Sequence, residues 1–150
     1  IERGVPPSTD TSASRELEWK NFGFPIAELK TIKLDGGNLV IGAMCTHAQV
    51  AMSADVKRAC PALAELAGGI GDQMVRNMGT IGGSIANADP AACYPAGIVG
   101  LGATIKTNQR SIAGDSFFTN VFETALKPGE LITAVASGTG DTLKTFLATH

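Results

Sequence analysis

The stretch from Val75 to Pro90 constrains this chain more than any other. It reads Val-Arg-Asn-Met-Gly-Thr-Ile-Gly-Gly-Ser-Ile-Ala-Asn-Ala-Asp-Pro and offers almost nothing that could serve as acid, base or nucleophile. Gly82 and Gly83 lack side chains, so the backbone there is free to take positive φ and to approach another molecule closely. Successive N–H groups in such a loop can converge on one concavity, and the hydroxyls of Thr80 and Ser84 add donors beside them. That chemistry suits an anionic or polyhydroxylated ligand, a phosphate or a ribityl chain, and points to a nucleotide. A bland reading stands beside it, because a turn between two helices can need two glycines for its geometry alone. The stretch is expected as a long loop entered from Ile70-Gly71, with Arg76 bonding backbone carbonyls and Asn77 taking left-handed turn geometry.

Other classes of function are excluded by composition. With 12 basic and 14 acidic residues the net charge is −2 and no Lys/Arg cluster gathers on one segment, so nucleic-acid binding has no electrostatic footing. Cys45, Cys60 and Cys93 are odd in number and widely spaced, which argues against a zinc site or a disulfide framework and for free thiols. No apolar run reaches the roughly eighteen residues needed to cross a bilayer, and no basic segment leads into an apolar one. A cytoplasmic protein without nucleic-acid or membrane partners is expected. The 150 residues suffice for one domain with its own core.

The periodicity predicts an α+β fold, an antiparallel sheet of hairpins with helices packed on one face. Leu29 to Leu34 and Leu39 to Ala43, joined by Asp35-Gly36-Gly37-Asn38, read as a first hairpin. Thr46 caps a helix carrying His47, Val50 and Met52; Ser53 ends or restarts it, and Cys60-Pro61 opens another that Gly68-Gly69 stops. His47 is read as structural, its ring packed or bonded to the local backbone. Asp89-Pro90 is expected to start a helix running to Val99, with Asp89 as its cap and a second option of facing ribose hydroxyls. Ala103 to Thr107 and Arg110 to Ala113 form a second hairpin. Phe117, Phe118, Val121 and Phe122 are expected to wedge the sheet against its helices. Lys127-Pro128-Gly129-Glu130 is a turn, followed by a strand over 131–135. A short helix through Trp19 and another through Leu143, Phe146 and Leu147 complete the expectations.

Arg76 to Ala92 resembles the second flavin-binding motif of the FAD domain in molybdenum hydroxylases, the family of xanthine dehydrogenase and the carbon monoxide dehydrogenase medium subunit. Leu39 to Met44 with Thr46-His47, and Phe117-Phe118 through Leu126 to Ile132, resemble two further blocks of that domain in the same order. The resemblance divides the chain into a leader over 1–25, an FAD-domain-like region over 26–135 and an unrelated tail over 136–150. It implies FAD as cofactor, with Thr80, Ile81, Gly82, Gly83 and Ser84 as contacts and Ile132 lying against the flavin. Two departures accompany it. Ile1 to Pro25 contains only Gly4 and Gly23 and nothing like the family's pyrophosphate-binding glycine loop, and Cys93 stands where members usually carry an aspartate.

The resemblance further implies a flavin module that transfers electrons alongside molybdenum and iron–sulfur subunits, with no substrate chemistry or independent activity of its own. The alternative expectation is a truncated, non-catalytic remnant that pairs exposed sheet edges with a second copy. A third is that the glycine stretch holds a smaller nucleotide or phosphate.

Overall fold

The computed structural model describes residues 26–138. The helices expected around Trp19 and over 143–147 lie outside the described residues. The chain opens with α1 (Ile26–Leu29) and the hairpin of β1 (Ile32–Asp35) and β2 (Asn38–Gly42). Gly36 and Gly37 form its two-residue loop with φ of 59° and 83°, the left-handed pair that matches the twist of the flanking strands.

Three short helices follow: α2 (His47–Met52), α3 (Ala54–Ala59) and α4 (Pro61–Gly68). Thr46 caps α2 in a full capping box with Gln49, and Ser53 accepts from the Val56 N–H to restart the chain as α3. The glycine-rich stretch is not the expected long loop. It forms α5 (Gln73–Met78) and α6 (Ile81–Asn87), with Asp72 and Thr80 as caps. The local signals were hydroxyl and carboxylate caps at the right spacing, and they outweigh the low helix propensity of glycine because α6 is packed into the core. Helix α7 (Cys93–Gly100) begins three residues later than expected. Asp89 accepts from the Ala91 N–H in a tight turn ahead of the helix, and Ala92 holds the cap position.

After α7 come β3 (Thr104–Thr107), β4 (Ser111–Ala113), α8 (Gly114–Phe117), the small ribbon β5 (Phe118–Asn120) and β6 (Glu123–Thr124), and β7 (Ile132–Gly138). Strand β7 is inserted between the two hairpins, giving a five-stranded antiparallel sheet in the order β1-β2-β7-β3-β4. It runs past the expected 131–135 and takes in Ala136, Ser137 and Gly138.

One face of the sheet is built from the row Ile32, Ile41, Val135, Ile105 and Ile112, paired across the ladder. It packs in one core with Val56, Leu63, Ile81, Ile85, Tyr94, Ile98 and Phe117. The opposite row, Lys33, Val40, Ala136 and Thr104, is wholly or partly exposed. Phe117 is fully buried and meets Phe118 edge-to-face at 5.0 Å, as the wedge expectation required. Val121 and Phe122 do not join it: they are 60% and 57% exposed on the turn between β5 and β6.

Candidate functional site

The first turn of α6 is built by its neighbours. The Ile81 N–H donates to the Cys45 carbonyl at 3.0 Å and the Gly82 N–H to the Ala43 carbonyl at 2.9 Å. The Gly83 N–H donates to Thr80 Oγ1 at 3.1 Å, while Thr80 bridges to Thr46 across a single antiparallel pair. The N–H groups of the first three residues of α6, Ile81, Gly82 and Gly83, are therefore satisfied within the protein. The expected cradle of free amides is absent from this turn.

The two adjacent glycines do different things. Neither has positive φ. A Cβ on Gly82 would lie 2.7 Å from both the Cβ and the carbonyl oxygen of Ala43, so this glycine permits helix and connector backbones to touch. Gly83 is exposed, and a Cβ there would meet only the Thr80 hydroxyl, at 2.9 Å.

The expected site residues divide accordingly. Thr80 and Ser84 are half-buried and Gly83 is exposed, so one end of α6 presents two hydroxyls and a bare stretch of backbone. Asp89 is also half-buried, with one oxygen engaged in its turn. Ile81, Gly82 and Ile132 are buried. Ile132 is directed inward because the β3–β7 register shifts there: Lys106 pairs with Ala134 and Thr107 with Ile132, so Thr133 is the extra residue of a bulge. Simple alternation along β7 would have put Ile132 on the open face. The Arg76 expectation holds, as its Nη1 donates to the carbonyls of Ile70 at 3.1 Å and Gly71 at 2.8 Å.

A second polar cluster was not foreseen. The Glu130 carboxylate, with no exposed side-chain surface, accepts from Arg110 Nε at 2.9 Å and Nη2 at 3.1 Å, from Thr107 Oγ1 at 2.7 Å and from the Lys127 N–H at 2.9 Å. These donors, Arg110 first, hold its pKa down to about 2. It is a structural clasp between the β3–β4 turn and the turn before β7. Its only trace in the sequence is a glutamate following Pro-Gly, which reads as an ordinary turn residue.

The open sheet face carries hollows of about 170 and 290 Å³ on either side of Val40, the first lined in part by Glu28 and Lys33 and the second by Asp35 and Lys106. Among the described residues no group of three His, Cys, Asp or Glu side chains could hold a metal. Burial pushes the Cys45 thiol up to about 11, so it stays protonated and unreactive, whereas Cys93 is exposed.

Residues 24–136 match the family described as the FAD binding domain in molybdopterin dehydrogenase. The chain belongs to that family. It is 37% identical over 122 residues to the glyceraldehyde dehydrogenase medium chain of Sulfolobus acidocaldarius, covering 79% of this chain and 43% of the relative. It is 36% identical to the carbon monoxide dehydrogenase medium chain of Hydrogenophaga pseudoflava, covering 77% and 43%. Among solved structures, carbon monoxide dehydrogenase from Hydrogenophaga pseudoflava superposes with a TM-score of 0.73 at 34% identity, over 75% of this chain and 41% of that one. Quinoline 2-oxidoreductase from Pseudomonas putida 86 superposes with a TM-score of 0.73 at 29% identity, over 86% and 50%. The chain thus spans about two-fifths of the length of the curated relatives it matches.

FAD binding is a property of this family, and the mixed fold with its antiparallel sheet is that of the family's FAD domain. No helix among the described residues is long and apolar enough to cross a membrane.

Proposed function

We propose that this chain contributes one wall of an FAD site in a multi-subunit molybdenum hydroxylase and serves electron transfer rather than substrate chemistry. The observation that carries the reading is the exposed end of α6, where Thr80, Gly83 and Ser84 stand together within a matched FAD domain. Bound FAD would supply the electron-accepting and electron-donating chemistry.

The residues present fit part of such a group. The Thr80 oxygen accepts from the Gly83 N–H and leaves its own O–H to donate outward, and the Ser84 hydroxyl adds a second donor one turn on. Gly83 lets a ligand chain approach the helix backbone without meeting a side chain. Asp89 keeps one carboxylate oxygen for a sugar hydroxyl while the other holds its turn. Ile81, Gly82 and Ile132 support the wall from within the core rather than touching a ligand. Since the α6 amides are already engaged, the contacts to a pyrophosphate must come from elsewhere, and each charge-assisted hydrogen bond there is worth on the order of 1.5–3 kcal/mol.

Relatives named as medium chains, and one named as a subunit of a 6-hydroxypseudooxynicotine dehydrogenase complex, support molybdenum and iron–sulfur subunits as partners. A homodimer through the sheet edges is the weaker reading. Edge strand β1 carries the exposed Lys33 and edge strand β4 is three residues long, and both features discourage edge pairing.

The experiment is the absorbance spectrum of the purified protein after saturation with FAD and desalting. Retained flavin bands support the reading. A colourless protein that also shows no thermal shift with FAD rejects binding by this chain alone, and repeating the assay with the partner subunits then decides between a shared site and none. Light scattering across concentrations tests the homodimer.

A further inference from the structure

Gly79 separates α5 from α6, and its backbone, at φ −71° and ψ 146°, suits any residue. Glycine is nevertheless required there by a neighbour. A Cβ on Gly79 would lie 2.6 Å from His47 Nε2 and 3.0 Å from His47 Cδ2. The same two residues are joined through the backbone, the His47 N–H donating to the Gly79 carbonyl at 3.0 Å. The imidazole cannot retreat freely. It is 4% exposed and backed by Tyr94, which is fully buried, at a centroid distance of 5.2 Å and a tilt of 45°. Among the described residues, His47 Nδ1 and the Tyr94 hydroxyl are buried without a hydrogen-bond partner, and the two rings pack against each other.

From this stack we infer that His47 is a positioning residue for the α6 end. Tyr94, His47 and Gly79 form a column whose thickness sets how far the Gly79-Thr80 turn stands from α2 and α7. Thr80 is the next residue and caps α6, so that thickness also sets where the Thr80 and Ser84 hydroxyls are presented. The inference rests on the proposed flavin reading for its functional consequence, although the column itself does not depend on it.

A size exchange in the full chain tests it, comparing Gly79→Ala, His47→Ala and the double variant. Gly79→Ala should shift the amide resonances of Thr80 to Ser84 and lower the melting temperature, while Ile105 and Ile112 on the far hairpin keep theirs. The double variant should bring those resonances back towards the wild type, because the added methyl occupies space the ring has left. FAD affinity, measured by flavin fluorescence, should follow the same pattern, weakened about tenfold in Gly79→Ala, a step of about 1.4 kcal/mol, and recovered in the double variant.

The inference is overturned if Gly79→Ala leaves the Thr80 to Ser84 amides unmoved, or if the double variant is no closer to wild type than the single one. Should Gly79→Ala fail to fold, a folded double variant supports the column and an unfolded one refutes it. If the wild type takes up no FAD, the flavin reading fails and the amide comparison still decides the role of His47.

Discussion

Two corners flank the start of β7, and they are held by opposite means. On one side the connector after β2 is pinned by backbone alone: the Ala43 N–H donates to the Thr133 carbonyl at 3.0 Å and the Ala43 carbonyl accepts from Gly82 at 2.9 Å. On the other side the turn before β7 is pinned by side chains, with Glu130 taking donors from Arg110, Thr107 and Lys127, and Asn108 accepting from the Leu131 N–H at 2.9 Å. The first corner achieves contact by removing side chains, the second by ionising one. On the proposed flavin reading, the first solution leaves the corner itself uncharged beside the hydroxyls of Thr80 and Ser84. In the second, a buried carboxylate with four donors makes a firm but acid-sensitive clasp.

The largest effect should come from breaking the backbone corner. Gly82→Ala forces a methyl onto Ala43 and should destabilise by about 3 kcal/mol, lowering the melting temperature by roughly 10–20 °C in thermal unfolding. A shift of only a degree or two would show that α6 can slide away from the connector.

Next is the ionic corner. Glu130→Gln should cost about 2 kcal/mol, less than a fully buried pair, because the Arg110 left behind is partly exposed. The wild type should show the matching pH dependence. The folded pKa of Glu130 lies near 2, below its ordinary value of 4.5. Its stabilisation is therefore complete above about pH 4.5 and lost as pH falls towards 2. Urea unfolding of wild type and Glu130→Gln across that window should converge at the acid end, and parallel curves would contradict the clasp.

A smaller effect belongs to His47 in the first corner. Burial lowers its pKa below the ordinary 6.5, so the folded state keeps the ring neutral. That state is favoured fully above pH 6.5 and progressively less as pH falls below it. Stability of the wild type should decline as pH falls below 6.5, and the decline should shrink in His47→Gln.

The smallest stability change should come from Gly83→Ala, next in the chain to Gly82. Its methyl meets only the Thr80 hydroxyl, and alanine's better helix propensity, up to about 1 kcal/mol, offsets that crowding. Stability should stay within about 0.5 kcal/mol of wild type while FAD retention falls. Equal losses in both neighbours would erase the distinction between a packing glycine and a ligand-facing one.

Much of the architecture was legible in the sequence because its signals are local. Gly36-Gly37 between two apolar runs specifies a hairpin turn, and Thr46, Ser53 and Thr80 cap helices through bonds spanning three residues. The motif from Arg76 to Ala92, together with two further blocks in the same order, carries the resemblance to the family to which the chain belongs.

Only the tertiary structure decided the rest. A glycine pair looks the same whether it lines a loop or lets a helix touch a strand connector, and the choice lies with Ala43, far away in the chain. The insertion of β7 between two hairpins, the bulge that turns Ile132 inward and the burial of Glu130 under Arg110 likewise depend on partners brought together only by folding. Short-range hydrogen bonds and alternation are written into neighbouring residues. Close approach, register and desolvation are properties of pairs, and the chain must fold before those pairs exist.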